Sequence, residues 1–136
     1  MALHLSSTIL IVDDSPITVR VVRRLLARIG FRRIDDAANG LDAIEKMSQK
    51  RYDLLLADWN MEPMSGYELL KQVRADAGCA KTLFILMTNK PTAEQVVAVK
   101  KAGGYFIAKP FTAEGLKQKI DASSLASDPE TKRSHL

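Results

Sequence analysis

The chain has 136 residues, 46% hydrophobic and 26% charged, with a formal net charge of +4 and a pI near 9.3. A chain of that length fits one domain that buries about two thirds of its unfolded surface, and no apolar run approaches the roughly 20 residues of a membrane span, so membrane insertion is not expected. Cys79 is the only cysteine, which excludes an internal disulfide and a cysteine-rich metal site, and His4 and His135 stand near opposite ends, which leaves any histidine-dependent catalysis to a chain terminus.

The opening MALHLSST lacks the basic start, long apolar core and small-residue cleavage site of a secretory signal, so a cytoplasmic location is expected. TILIVDD then reads as a buried strand that runs into Asp13 and Asp14. SPITVRVVRRLLARIG predicts a helix with Ser15 at the N-cap, Pro16 in the first turn and Gly30 just past the end; its apolar face is Val22, Leu25, Leu26 and Ile29. FRRIDDAA is a more polar strand, suited to a sheet edge, and the helix after it is capped near Asn39 with Leu41, Ile44 and Met47 directed inward. In YDLLLADWNMEPMSG the run Leu54 to Ala57 has the continuous apolar character of a strand buried on both faces, and Asp58 ends it. Pro63 and Gly66 punctuate the loop, and Ser65 with Glu68 forms a capping box that opens the helix YELLKQVRA. TLFILMT is a fourth strand, Thr92 with Gln95 a second capping box, YFIAKPF a fifth strand and TAEGLKQKIDA the last helix. From Ser123 onward SSLASDPETKRSHL has no periodic apolar residues, so residues 1–122 are expected to form the domain and 123–136 a flexible tail.

Five strands alternating with five helices argue an open, parallel α/β sheet with right-handed helical crossovers. In such sheets ligands bind outside the carboxyl ends of the strands. Those ends carry Asp13 and Asp14 on the first strand, Asp58 on the third, Thr88 on the fourth, and Lys109 followed by Pro110 on the fifth. Taken singly, an aspartate there is often a helix cap and a Lys-Pro pair a turn. Four of five strand ends delivering ionisable or hydroxyl groups to one rim, from strands that are otherwise apolar, make a site.

The motifs VDDSP, DWNM with a later MSG, MT and KPF resemble, as a set and over residues 7 to 122, those of the CheY-like receiver domains of two-component response regulators. The resemblance implies a flavodoxin-like, doubly wound sheet in the order 2-1-3-4-5. It implies Asp58 as phosphoacceptor, a Mg2+ ion held by Asp13, Asp14, Asp58 and the backbone carbonyl of Asn60, and Thr88 and Lys109 as groups that meet the phosphoryl oxygens. Thr88 and Phe106 correspond to the family's switch pair. The implied function is a stand-alone response regulator. It would take a phosphoryl group from a sensor histidine kinase or a histidine phosphotransfer protein and signal to a downstream protein through the surface of the fourth helix, fifth strand and fifth helix. Such a protein catalyses its own phosphorylation and dephosphorylation but acts mainly as a switch. The chemistry is coherent without the family name: crowded carboxylates repel unless a cation is present, and a hard divalent ion with oxygen ligands suits them better than zinc. A carboxylate also needs no base to attack phosphorus at neutral pH.

Several residues depart from the family pattern. Glu62 separates Met61 from Pro63, Asn89 stands where a small residue is favoured after Thr88, Tyr105 occupies a position where receivers often carry a smaller side chain, Phe106 lacks the hydroxyl some relatives have, and the segment from Thr88 to Lys109 is one residue short. Arg20, Arg23, Arg24, Arg28, Arg32 and Arg33 concentrate on and just beyond the first helix. A solvated helix face is the favoured reading, with an acidic kinase or phosphotransfer partner as the functional one; direct nucleic-acid binding is not expected, because no recognition helix or aromatic RNA-binding motif is present. Two alternatives from other classes are a receiver-like interaction module that is not phosphorylated and a flavodoxin-type cofactor binder. The complete Asp-Asp-Asp-Thr-Lys set counts against the first. VDDSP, which repels phosphate in the absence of a metal, counts against the second.

Overall fold

The computed structural model describes residues 3–126. Its elements follow in the order β1 (Thr8–Val12), α1 (Pro16–Ile29), β2 (Arg33–Ala37), α2 (Gly40–Gln49), β3 (Leu54–Asp58), α3 (Gly66–Ala75), β4 (Leu83–Thr88), α4 (Ala93–Lys101), β5 (Tyr105–Ala108) and α5 (Ala113–Ala126). All strand pairs are parallel and the sheet order is β2-β1-β3-β4-β5, as expected. Such a sheet is covered on both faces. Leu10, Val12, Leu55, Ala57, Phe84 and Leu86 point toward α2, α3 and α4, while Ile9, Ile11, Leu54, Leu56, Ile85 and Met87 point toward α1 and α5. The side-chain period of two thus divides each apolar run between two cores.

The local signals work as their chemistry predicts. Ser15 accepts from Thr18 N, Asn39 accepts from Asp42 N, and both capping boxes, Ser65 with Glu68 and Thr92 with Gln95, are closed in both directions. Gly30 ends α1 at φ 121°, a conformation that L side chains rarely adopt. β2 lies at the edge, and its polar character follows from that position. Because Ala37 O accepts from Asp13 N, on the β1 side, the carbonyls of Ile34 and Asp36 face outward; they are taken by Arg23 Nη1 (2.6 Å for Ile34) and Lys46 Nζ.

Two expectations are corrected. Leu41 is 56% exposed, and the inward face of α2 consists of Gly40, Ala43, Ile44 and Met47. At 3.6 residues per turn those four cluster on one side, and Leu41 falls about a third of a turn away from them. The last helix also runs beyond residue 122 to Ala126, with Ser123 and Ser124 buried. Leu3 N donates to Ser124 Oγ at 3.0 Å, so the N-terminal segment packs along the end of α5, and small serines there replace the apolar residues whose absence suggested a tail. The rest of the expected tail, residues 127–136 with His135, lies outside the described residues. No helix among the described residues is long and apolar enough to cross a membrane.

Candidate functional site

Parallel register places the carboxyl ends of β1, β3, β4 and β5 on one rim. Just past β1, the backbone N–H of Ser15 donates to Asp13 Oδ1 at 2.9 Å, turning that carboxylate inward, whereas Asp14 faces solvent. At the end of β3 the chain is fixed from two sides: Trp59 N donates to Met87 O and Gly66 N donates to Trp59 O, both at 2.9 Å. Gly66 sits so close beneath this turn that a Cβ would stand 2.3 Å from the carbonyl oxygen of Asp58 and 2.6 Å from Leu86 Cδ2. Only a residue without a side chain lets α3 start there. Lys109 N donates to Thr88 O at 2.8 Å, which joins the ends of β4 and β5; Thr88 itself is buried.

The rim brings together the expected groups. Oxygens of Asp13, Asp14 and Asp58 lie within 4.8 Å of one another. Lys109 Nζ is 2.9 Å from Asp58 Oδ1 and 3.9 Å from Asp13 Oδ2. Asp13 Oδ2 is buried and accepts no hydrogen bond from any described residue. Burial pushes the Asp13 carboxyl above the usual carboxylate range; the Ser15 N–H opposes this and the Asp58 charge adds to it. A buried, unsatisfied carboxylate oxygen beside two further carboxylates is a donor set of hard anionic oxygens, and it fits a divalent cation. Asn60, whose backbone carbonyl was expected to join this set, is an exposed residue of the β3–α3 loop, and Asn89 and Lys90 are exposed beyond β4. Phe106 on β5 is half-buried against the core, with Lys119 Nζ 4.9 Å from its ring centroid. Of the residues that depart from the family pattern, Glu62 in the β3–α3 loop is exposed and Tyr105 at the start of β5 is half-buried.

Two features of the site were not read from the sequence. Trp59 stacks on Tyr67 with ring centroids 5.5 Å apart and an interplanar angle of 6°, and Lys71 Nζ lies 5.3 Å from the Tyr67 centroid. Tyr67 and Lys71 are four apart on α3, a spacing that was available as a signal. Gly66 was read as loop punctuation; nothing in one sequence separates a turn glycine from one held by close backbone approach.

An acidic triad beside a lysine on the carboxyl rim of a 2-1-3-4-5 sheet defines a receiver, and the chain belongs to the response regulator receiver domain family, which it matches over residues 9–121. It is 39% identical over 121 residues to chemotaxis protein CheY-3 of Vibrio cholerae serotype O1, covering 88% of this chain and 92% of that one. Among solved structures it resembles V. cholerae CheY4, with a TM-score of 0.80 and 28% identity over 87% of this chain and 98% of that one. It also resembles the receiver domain of sensor histidine kinase PA1611 from Pseudomonas aeruginosa PAO1, which has a magnesium ion coordinated in its active-site cleft; there the TM-score is 0.76 and the identity 25%, over 86% of this chain and 96% of that one.

Proposed function

We propose that this receiver is a stand-alone response regulator in which Asp58 accepts a phosphoryl group from a sensor histidine kinase or histidine phosphotransfer protein. The observation that carries the reading is the placing of Asp58, at the carboxyl end of the central strand, within 4.8 Å of Asp13 and Asp14 and 2.9 Å from Lys109. A carboxylate oxygen of Asp58 attacks phosphorus, a P–O bond forms, the bond from phosphorus to the donor nitrogen breaks, and the product is an acyl phosphate. Asp13, Asp14, Asp58 and the backbone carbonyl of Asn60 would hold Mg2+, which when bound offsets the charge of the carboxylates and of the incoming phosphoryl oxygens.

The chain's own groups do the rest. Lys109 leaves its ion pair with Asp58 and meets a phosphoryl oxygen, while Thr88 donates its hydroxyl to another. A phosphoryl group shifts a conformational equilibrium only through contacts made in one state and lacking in the other, and Thr88 and Lys109 supply those contacts. Space left by Thr88 lets Phe106 turn inward and reshapes the α4–β5–α5 surface read by a downstream protein. The test is incubation with acetyl phosphate and magnesium followed by intact mass measurement. A mass gain of one phosphoryl group in the wild type and none in Asp58→Asn is expected; an undiminished gain in the variant removes Asp58 from its role.

A further inference from the structure

The last turn of α3 carries a guanidinium whose partners are backbone carbonyls. Arg74 donates from Nε (3.0 Å) and Nη2 (2.7 Å) to Gly103 O, and from Nη1 to Ala80 O (3.0 Å) and Thr82 O (2.7 Å). One rigid fork thus joins α3, the connection leading into β4, and the turn between α4 and β5. A lysine, with a single nitrogen, cannot span these acceptors.

The turn so held is the end of α4. Gly104 N donates to Val99 O at 2.9 Å and Gly103 N to Lys100 O at 3.1 Å, with Gly103 at φ 82°, which is the pattern of a Schellman cap. Both glycines abut α3: a Cβ on Gly103 would lie 3.1 Å from Arg74 Nε, and one on Gly104 would lie 2.7 Å from Leu70 Cδ2. The other end of α4 is held quite differently. Asn89, Lys90, Thr92, Ala93 and Glu94 are exposed, the Thr92–Gln95 box ties the helix start to itself, and Val97 is 51% exposed. Val99, in the last turn, is the one buried residue of the helix.

We infer that Arg74 makes the carboxyl end of α4 a pivot, so that a rearrangement at the rim swings α4 about Ala102–Gly104 instead of shifting the helix as a block. The inference says how the surface proposed above is moved, and rests on that reading. α4 starts five positions beyond Thr88 and is about 13 Å long at ~1.5 Å per residue. With one end fixed, displacement grows with distance from Gly103, and the partner-facing change concentrates in the first two turns. The fixed end has no contact with the carboxylates, so Arg74 is a positioning residue for the signal and not for phosphoryl transfer.

The test compares wild type, Arg74→Gln and Arg74→Lys by amide NMR with beryllofluoride and magnesium, and by native-state hydrogen exchange without them. In the wild type, shift changes fall steadily from Asn89–Val96 to Gly103–Gly104. In Arg74→Gln the gradient flattens, with Lys100–Gly104 responding as strongly as Ala93–Val96. Exchange protection at Ala102–Gly104 drops about tenfold or more, the scale of one lost charge-assisted hydrogen bond, while that at Val96–Ala98 changes far less. The mass gain with acetyl phosphate is unaltered. Arg74→Lys behaves like Arg74→Gln, and carries the same comparison if the glutamine variant does not fold. Equal shifts along all of α4 in the wild type, or an intact gradient in both variants, overturns the pivot. If beryllofluoride moves no resonance in the wild type, the phosphorylation reading fails separately; exchange then decides alone, a loss confined to Ala102–Gly104 supporting the pivot and a uniform loss across α4 overturning it.

Discussion

Lys109 Nζ lies 2.9 Å from Asp58 Oδ1, so the strand-end cation of the rim is bound to the carboxylate proposed to react. It is held there while also 3.9 Å from Asp13. A lysine in that position competes with a divalent ion for the same negative charge, yet stabilises the charge that develops during transfer.

Replacing Lys109 with methionine therefore separates the two effects. Magnesium affinity is expected to rise several-fold because a competing positive charge is lost. The rate of phosphorylation by acetyl phosphate is expected to fall about 10²-fold, the usual scale for removing one preorganised charge-stabilising donor. Magnesium titration of Trp59 emission measures the first and time-resolved intact mass the second. A fall in both would place Lys109 on the metal-binding side.

Asp13→Asn tests the cost of burying a charged carboxylate at the rim. The folded protein raises the Asp13 pKa, chiefly by burial, so the fold disfavours its ionised form. The sign follows: without a divalent ion, this group lowers stability progressively as pH rises from the ordinary aspartate value of about 3.9 through the folded value, and the loss is complete above it. The asparagine variant is expected to melt higher than wild type at pH 7 without magnesium, and to gain less from added magnesium. A lower Tm in the metal-free variant would show that Asp13 contributes to the fold through its charge.

Gly66→Ala probes the support beneath Asp58. The added Cβ meets a carbonyl oxygen at 2.3 Å, backbone that cannot swing aside. A loss of about 2–4 kcal/mol in urea unfolding is expected, together with slower phosphorylation in whatever remains folded, because the end of β3 must move. Gly103→Ala, strained at its own φ but remote from the rim, is the control that should leave the phosphorylation rate unchanged.

Asp35, on the edge strand β2, sets a second pH dependence. Hydrogen bonds from the Tyr52 hydroxyl at 2.7 Å and Lys50 at 2.9 Å hold its carboxyl below the usual range, and burial, helped by the same contact, pushes the Tyr52 hydroxyl well above its own. A depressed acid contributes stability above its unfolded pKa of about 3.9 and loses it as pH falls through the folded value. Tyr52→Phe is expected to be less stable than wild type at pH 7, with the gap narrowing below pH ~4. A gap independent of pH would assign the loss to packing.

Trp59 reports the switch from beside Asp58. Beryllofluoride with magnesium is expected to change its emission in wild type and in Thr88→Ala alike, whereas amide shifts around Phe106 and Ala93–Val96 respond strongly only in wild type. Equal distal shifts in the variant would show that Thr88 does not couple the two regions. Tyr67→Ala, which removes the stacked ring, should alter the baseline emission without altering the metal response.

Fold and rim were legible because each was over-determined locally. Apolar runs ending in Asp13, Asp58 and Thr88, with caps at Ser15, Ser65 and Thr92, leave little freedom in where strands stop and helices begin. Leu41 was misplaced because an apolar residue in the first turn of a short helix sits near the boundary of the buried arc, where neighbouring elements decide. The end of α5 escapes the sequence because Ser123 and Ser124 are buried although polar, and Ser124 is met by Leu3, more than a hundred positions earlier, a contact with no local trace. Arg74 looks like any surface arginine in sequence; its acceptors are main-chain carbonyls, which carry no side-chain signature.

The outward carbonyls of Ile34 and Asp36, occupied by Arg23 and Lys46, leave β2 unable to accept a neighbouring strand at those positions. Growth of the sheet by a second chain is therefore blocked on this margin, and any strand-to-strand association is left to the β5 side, next to the surface proposed to signal. Two long cationic side chains folded over an edge help to keep the chain from strand-to-strand aggregation. Arg23→Ala with Lys46→Ala, which also removes the ion pairs to Asp36 and Asp42, is accordingly expected to lower solubility as well as stability.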